Sequence, residues 1–564
     1  MDFKKELSEK ISDVIKLNPK DVYEYIEIPP NKNMGDFSFP CFRLAKELKK
    51  APQAIAIEIA EKLNTISFVD SIKTEGAYIN FYLNKQYFAK AVLSTLIEKG
   101  NDYGKSNLGN GKRIVIDYSS PNIAKPFHVG HLRSTVIGNA LYNVFNFLGY
   151  ESVGVNHLGD WGTQFGKLIV AFTNWSNKEL VEKDGIKELN SIYVKYHEEA
   201  EKNPDLNQEA RNWLIKMQDG DQEALSLWKF FNEISMKEFE AVYTRLDIKF
   251  DSYAGESFYN DKMDKIVEEL QEKNILVESN GAKIVDLENH NMPPCLILRS
   301  DGGTLYPTRD IAAAKYRMEK YNFEKCLYVT AIDQNLHFAQ WFKVIEIMGH
   351  EWSKDLAHVP FGLVSLESGK LSTRKGNVVL MEELLNEAVN KTKEIIEEKN
   401  PSLADKDIVA EQVGIGAIIF NDLYNSRIKD IVFSWEKMLS FEGETGPYVQ
   451  YTHARANSVL LKGGEINFDE IDFGVLTDEA SLEIFKLLYT YPDKIVEASI
   501  KYEPFFIARH LVSISQAFNK FYHDNPIITS EPHIKNARLV LVHVIKNILS
   551  NGLAILGIKS PDQM

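Results

Sequence analysis

The sequence predicts a multidomain α/β protein: an α+β N-terminal module, a parallel-sheet middle part with a helical insertion, and an all-α C-terminal bundle. Three observations carry this. The chain has 564 residues, and domains usually hold about 100–200. A short apolar strand, Arg113-Ile114-Val115-Ile116-Asp117-Tyr118, runs through a polar loop into a helix from about His131 to Leu148, the opening of a parallel α/β unit. From about Glu411 onward, apolar residues recur at helical spacing without a strand pattern.

Residues 1–110 form the first expected module. Phe3, Leu7, Ile11 and Val14 repeat at helical spacing, a second helical pattern spans Leu44 to Leu63, and Gly76 to Leu83 reads as a strand rich in aromatics. A glycine- and asparagine-rich stretch, Gly100 to Gly111, serves as linker. Residues 111–410 form the second module, with later strands expected at Lys325–Val329 and Val359–Val364 and a mostly helical insertion over about 172–291. Residues 411–564 form the third.

Composition narrows the function. Hydrophobic residues make up 44% and charged residues 26%, ordinary for a globular protein. No run of about 18 apolar residues is read as a membrane span, and the mixed-charge start Met1 to Leu7 does not read as a signal peptide. No membrane association is expected. The three cysteines, Cys41, Cys295 and Cys326, are too scattered for a disulfide framework or a four-cysteine zinc site, so no metal ligands are assigned and a cytoplasmic location is expected. The net charge of -15 argues against a general nucleic-acid coat, because phosphate binding needs clustered cations.

Two segments carry phosphate chemistry. In His128-Val129-Gly130-His131 the histidines fall on one side of a helical turn, where a strand gives way to a helix. Free N–H groups and the dipole at such a turn suit ATP phosphates, and Gly130 lets a flat base approach the backbone. Two surface histidines would look the same, and a metal pair is a further alternative, although the glutamate of His-Glu-x-x-His is missing. The second segment, Gly369-Lys370-Leu371-Ser372-Thr373-Arg374-Lys375-Gly376, sets Lys370, Arg374 and Lys375 between glycines. Such a loop can close over a triphosphate; a solvated basic loop has the same composition.

Together these segments resemble class I aminoacyl-tRNA synthetases. His128 to His131 is similar to their His-Ile-Gly-His signature, and Lys370 to Arg374 to their Lys-Met-Ser-Lys-Ser loop. Ser119 to Lys125, Asn156 to Gly166, Ser300 to Asp310 and Thr445 to Tyr451 resemble arginyl-tRNA synthetases in particular, and the likeness runs from Asp36 to Met564. Thr373 stands where the loop's second lysine would be. The family implies that Lys125 supplies that charge.

The resemblance implies a Rossmann-type catalytic domain and an anticodon-binding C-terminal bundle in an arginine–tRNA ligase. It would use ATP with Mg²⁺ to form arginyl-adenylate, then load the terminal 2′-hydroxyl of tRNA(Arg). Lys125, His128, His131, Lys370 and Arg374 are the implied catalytic residues; His128, Gly130, His131, Lys370 and Ser372 would hold ATP. Ser120, Asn122, Tyr306, Asp310, Gln334 and Glu256 would hold arginine, Asp310 and Glu256 facing the guanidinium. Tyr78, Asn80, Tyr522 and Met564 would touch tRNA. A monomer is expected, as is arginine activation that waits for tRNA. Another class I synthetase, a non-catalytic RNA-binding relative and a small-molecule adenylyl transferase remain the alternatives.

Overall fold

The computed structural model describes residues 2–29, 31, 34–63, 66–300, 303–366, 369–370 and 379–564. The chain forms two compact units: Met1–Tyr103 with Arg455–Tyr491 and Ser513–Ile548, and Gly104–Ala454 with Pro492–Val512 and Leu549–Met564.

In the first unit, strands β1 (Phe37–Pro40), β2 (Val69–Glu75) and β3 (Tyr78–Leu83) form an antiparallel sheet in the order β1-β3-β2. The helix Phe3–Ile15 begins at Asp2, whose side chain accepts from the Lys5 N–H, a regular N-cap. Its Phe3 ring is fully buried among Phe68, Phe88 and Tyr489, with centroids 5.2, 5.5 and 5.6 Å away. The helical pattern at Leu44–Leu63 resolves into two helices, Leu44–Leu48 and Pro52–Lys62. Pro52 explains the break, because proline cannot continue a helix from its preceding turn but suits a first helical position.

The second unit holds the strands β4 (Arg113–Asp117), β5 (Glu151–Val155), β6 (Leu276–Ser279), β7 (Ala282–Val285), β8 (Cys295–Leu298), β9 (Lys325–Tyr328), β10 (Leu356–His358), β11 (Val364–Leu366), β12 (Gly369–Lys370) and β13 (Ile431–Phe433). The central sheet is parallel and ordered β10-β9-β4-β5. The chain therefore leaves β4 toward β5 on one side and returns to β9 on the other. Such a reversal opens a crevice at the carboxyl ends of the strands, here β4 and β9. The helices Leu132–Phe147, Tyr306–Tyr321 and Asn335–Ile347 follow β4, β8 and β9.

Arg133 is fully buried and anchors the first of these helices. Its Nε lies 3.1 Å from Asp422, and its Nη1 donates to the Gly362 and Lys429 carbonyls. A buried ion pair needs such extra donors and acceptors to offset desolvation.

Three expectations change. The insertion is helical over Lys178–Asp184, Ile186–Lys202, Asp205–Gln218 and Gln222–Arg245, but it ends in the antiparallel sheet β6-β7-β8. Val359–Val364 is not one strand: β10 ends at His358 and β11 starts at Val364, with Pro360, which has no ladder donor, between them. The stretch after Glu411 is not wholly helical either. Ile431–Phe433 pairs in parallel with β11, and a three-residue strand is too short to show a period. The helix Pro532–Ile555 is long and apolar enough by composition to cross a membrane, and 61% of its most apolar window is buried inside the protein, as in a core helix.

Candidate functional site

The loop leaving β4 is conformationally unusual. Ser119, Ser120 and Ala124 have φ of 70°, 47° and 62°, a region that non-glycine residues rarely occupy and that needs support from surrounding contacts. The support is visible. Ser119 Oγ meets Tyr243 Oη at 2.8 Å and accepts from Thr135 Oγ1, the Ser119 N–H donates to Ser134 Oγ, and the Ala124 N–H donates to Ser235 Oγ at 3.0 Å. Ser120 Oγ donates to Asp117 Oδ1 at 2.9 Å and accepts from the His157 N–H at 3.2 Å. Asn122 is exposed and bridges in parallel to Gly159. A Cβ at position 159 would stand 2.1 Å from Asn122 Oδ1, so glycine is required for this approach.

The two histidines close a turn on themselves. His128 precedes the 3₁₀ turn Val129–His131 as its N-cap. Its Nδ1 accepts from the Gly130 N–H at 3.0 Å, and His131 Nδ1 accepts from the His128 N–H at 3.3 Å. In a neutral imidazole, one nitrogen accepts and the other carries hydrogen. Each ring therefore keeps Nε2–H as donor. Burial lowers both affinities for a second proton, helped by Lys125 beside His128, and His131 falls to about 3. The His131 ring stacks on Phe127 (5.1 Å, 10°) and lies 4.1 Å from the His128 ring. A Cβ on Gly130 would meet His128 Cε1 at 2.6 Å.

The second cationic segment is only partly accessible to description. Lys370 falls in β12, but its side chain lies outside the described residues, as do Ser372 and Arg374. On the far side of that segment, His128 bridges antiparallel to Leu380, the Val129 N–H donates to Val379 O and the Met381 N–H donates to Phe127 O. Chain continuing from the basic loop is thus paired directly to the histidine turn.

Beneath the loop, Asp117 at the end of β4 pairs with Arg317 at 2.8 Å, both nearly fully buried. Arg317 Nη2 lies 3.4 Å from His157 Nδ1. Arg317 belongs to the helix Tyr306–Tyr321, two turns beyond Asp310. His157 lies within electrostatic range of Asp310 as well as Asp117. Asp310 thus acts on His157, whose N–H donates to Ser120 Oγ of the loop.

Asp310 and Glu256 both have partners within the chain. Asp310 Oδ2 lies 2.6 Å from His337 Nε2, each side chain 27% exposed. Glu256 Oε1 lies 3.2 Å from Arg309 Nη1. Burial is the main cause that raises Glu256 to about 7, with Asp310 and Asp160 adding and Arg309 opposing. Glu256, expected to face a substrate guanidinium, is here ion-paired with a guanidinium of the chain itself. Tyr306 opens its helix and is 67% exposed, and Gln334 is exposed at the start of the helix Asn335–Ile347. Composition and spacing offered no sign of His337, Arg309, Asp117 or Arg317; only helix periodicity could have set Arg317 on the face of Asp310.

The expected tRNA contacts divide. Tyr78 is partly exposed and packs edge-on against Phe42, 5.4 Å away. Asn80 is 1% exposed and its Oδ1 accepts from Ser38 Oγ at 2.7 Å, a contact within the sheet. Tyr522 is 42% exposed with the Arg455 guanidinium 5.7 Å from its ring centroid. Met564 packs on the cluster of Ile396, Leu403, Val409, Ala410 and Val413, and its carbonyl accepts from Asn400 Nδ2. A frayed end would show neither contact.

Comparison with known proteins agrees with this arrangement. The catalytic-domain model of class I (R) tRNA synthetases matches residues 92–435, the DALR anticodon-binding domain matches 449–564, and the arginyl-tRNA synthetase N-terminal domain matches 1–83. The arginine–tRNA ligase of Alkaliphilus metalliredigens is 57% identical and that of Halothermothrix orenii 54%, each over all of both chains. Among solved structures, the arginyl-tRNA synthetase of Thermus thermophilus superposes with a TM-score of 0.84 at 25% identity over all of both chains. That of Plasmodium falciparum reaches 0.82 at 26%, over 100% of this chain and 99% of its own. With its reversed parallel sheet, its histidine turn and these full-length likenesses, the chain belongs to the arginyl-tRNA synthetases of class I.

Proposed function

We propose that this chain joins arginine to tRNA(Arg) at the crevice beyond β4 and β9. The arginine carboxylate attacks the α-phosphate of ATP and pyrophosphate leaves. The 2′-hydroxyl of the terminal adenosine then takes the arginyl group and AMP leaves. The first nucleophile is ionised at neutral pH, since its pKa is near ~3.5, and needs no general base. Catalysis then rests on alignment and on stabilising charge at phosphorus.

One observation supports this reading: the histidine turn, whose Nδ1 atoms are taken by backbone N–H groups, continues the loop of Ser120 and Asn122, and His157, whose N–H donates to Ser120 Oγ, feels the charge of Asp310. The histidines donate to phosphate oxygens, and Lys125 adds countercharge, joined by Lys370 and Arg374 from the basic loop, with Ser372 beside ATP. Gly130 gives the base its approach. Ser120 and Asn122 hold the α-amino and carboxylate end of arginine. Asp310 takes the guanidinium in a two-bond fork that an ammonium cannot match, while Tyr306 and Gln334 shape the slot. Glu256 joins them only by exchanging Arg309 for substrate.

Mg²⁺ enters as the partner of ATP. Neutral and cationic donors around the phosphates fit a magnesium held by the nucleotide and water rather than by a protein cage. Residues 1–110 and 411–564, on either side of the catalytic segment 111–410 in sequence, serve tRNA. Tyr522, with an exposed ring, and Tyr78, partly exposed, suit stacking on unpaired bases; Met564 holds the anticodon-binding end in place. The enzyme works as a cytoplasmic monomer without a membrane, which light scattering and fractionation test.

The deciding experiment is aminoacylation of total tRNA with each of twenty labelled amino acids. Label from arginine alone is expected; label from another amino acid, or from none, overturns the reading.

A further inference from the structure

We infer that His337 is a positioning residue for arginine selection, holding the Asp310 carboxylate in the plane that a guanidinium fork requires. The inference rests on the assignment of Asp310 as guanidinium acceptor and deepens it.

The geometry is specific. Asp310 projects from the second turn of the helix Tyr306–Tyr321, and His337 from the first turn of Asn335–Ile347. The two meet at 2.6 Å, Nε2 to Oδ2. The adjacent Phe338 fixes the backbone of His337. Phe338 is buried, stacks on His358 at 4.4 Å and 14°, and packs against Tyr328 and Trp341 at 5.3 and 5.6 Å. The imidazole thus leaves an anchored backbone and reaches the carboxylate from the side of β9.

A carboxylate offers about four lone-pair sites on two oxygens. His337 engages Oδ2 only, so among the described residues Oδ1 and the outer lone pair of Oδ2 remain for two parallel N–H donors. An aspartate without such a partner turns about its last torsion, which is broad and roughly two-fold. A turning carboxylate still attracts a point charge but meets a flat fork in register only part of the time. Of the two acidic side chains here, Asp310 is held by a slender neutral-capable donor and Glu256 by a full guanidinium. The first can accept a substrate fork without releasing its partner, whereas the second has to let go.

The test is steady-state aminoacylation with saturating tRNA, comparing His337→Ala, His337→Gln, Asp310→Ala and the double variant. In H337A the KM for arginine should rise about ten-fold, the size expected for a charge-assisted hydrogen bond, with kcat and the KM for ATP within about two-fold. H337Q, whose amide N–H can reach the same oxygen, should recover most of the loss, and H337A should add nothing in the D310A background. An unchanged arginine KM in H337A, an equal rise in both KM values, or a glutamine variant as poor as alanine each overturns the inference while Asp310 keeps its role. If D310A itself leaves the arginine KM unchanged, the assignment of Asp310 falls and this inference falls with it. Should H337A fold poorly by circular dichroism, H337Q decides: an arginine KM within about three-fold of the unaltered chain supports the inference, and a ten-fold rise overturns it.

Discussion

The two halves of the crevice prepare for their ligands in opposite ways. The histidine turn uses its own polar groups to finish itself: each Nδ1 accepts a backbone N–H, which leaves each Nε2–H as the ring's remaining donor. The arginine side is self-paired instead, with His337 on Asp310 and Arg309 on Glu256. A preformed donor set suits a transition state whose charge appears within the turnover. Both acids are partly withdrawn from water, and a partly desolvated carboxylate is costly without a partner. The internal partners occupy the acids until substrate replaces or joins them.

This contrast can be broken most sharply at the turn. His131→Ala removes a donor aimed at developing charge, and kcat should fall about 100-fold or more while the KM for arginine stays within a few-fold; an equal rise in that KM would merge the two halves. Asp310→Asn should do the reverse, raising the KM for arginine by about 10- to 100-fold and leaving the KM for ATP near its starting value. Equal loss of both would refute the pocket assignment.

Gly130→Ala is a finer probe. Its Cβ would push the His128 ring from 2.6 Å, so the adenylation rate should drop about ten-fold with arginine binding intact by titration calorimetry.

The pH profile should separate the halves too. Both histidines bind their second proton weakly, His131 only near about 3. His131 therefore stays neutral from pH 6 to 8.5, and its contribution to the KM for ATP should be flat across that range. Glu256 sits at about 7. Below that it protonates, the slot loses negative charge, and the KM for arginine should rise by about two- to five-fold between pH 8 and 6. Glu256→Gln should flatten the rise; a slope that survives it points to another group.

The smallest effect belongs to the far end. Removing Met564 deletes packing on Ile396 and Val409, and the KM for tRNA should increase by about three-fold with the KM for ATP unchanged. Unaltered charging would remove the C-terminus from tRNA binding.

Much of this was legible in residues alone. The strand at Arg113–Asp117, the helix after it, and the histidine turn are local features, and local spacing reports them. The parallel sheet was legible as a class but not in its order. Short elements were not legible: β6 to β8 and β13 are three or four residues each, too brief to display a period. Asn80 shows a different limit. Strand alternation says which face a residue shares, not whether a serine on the next strand will take its side chain, and Ser38 does.

By itself, then, the sequence determined the chemistry available: two histidines three apart, a strand feeding a helix, an acid after an aromatic, and a basic loop of the right kind. Only the tertiary structure decided which of these groups meet. Asp310 and His337 are 27 residues apart, and Asp117 reaches Arg317 across nearly the whole middle of the chain. The reason is physical. Such pairs are set by where helices pack on a sheet whose strand order reverses beside β4, and packing is a property of many distant residues at once rather than of any local run.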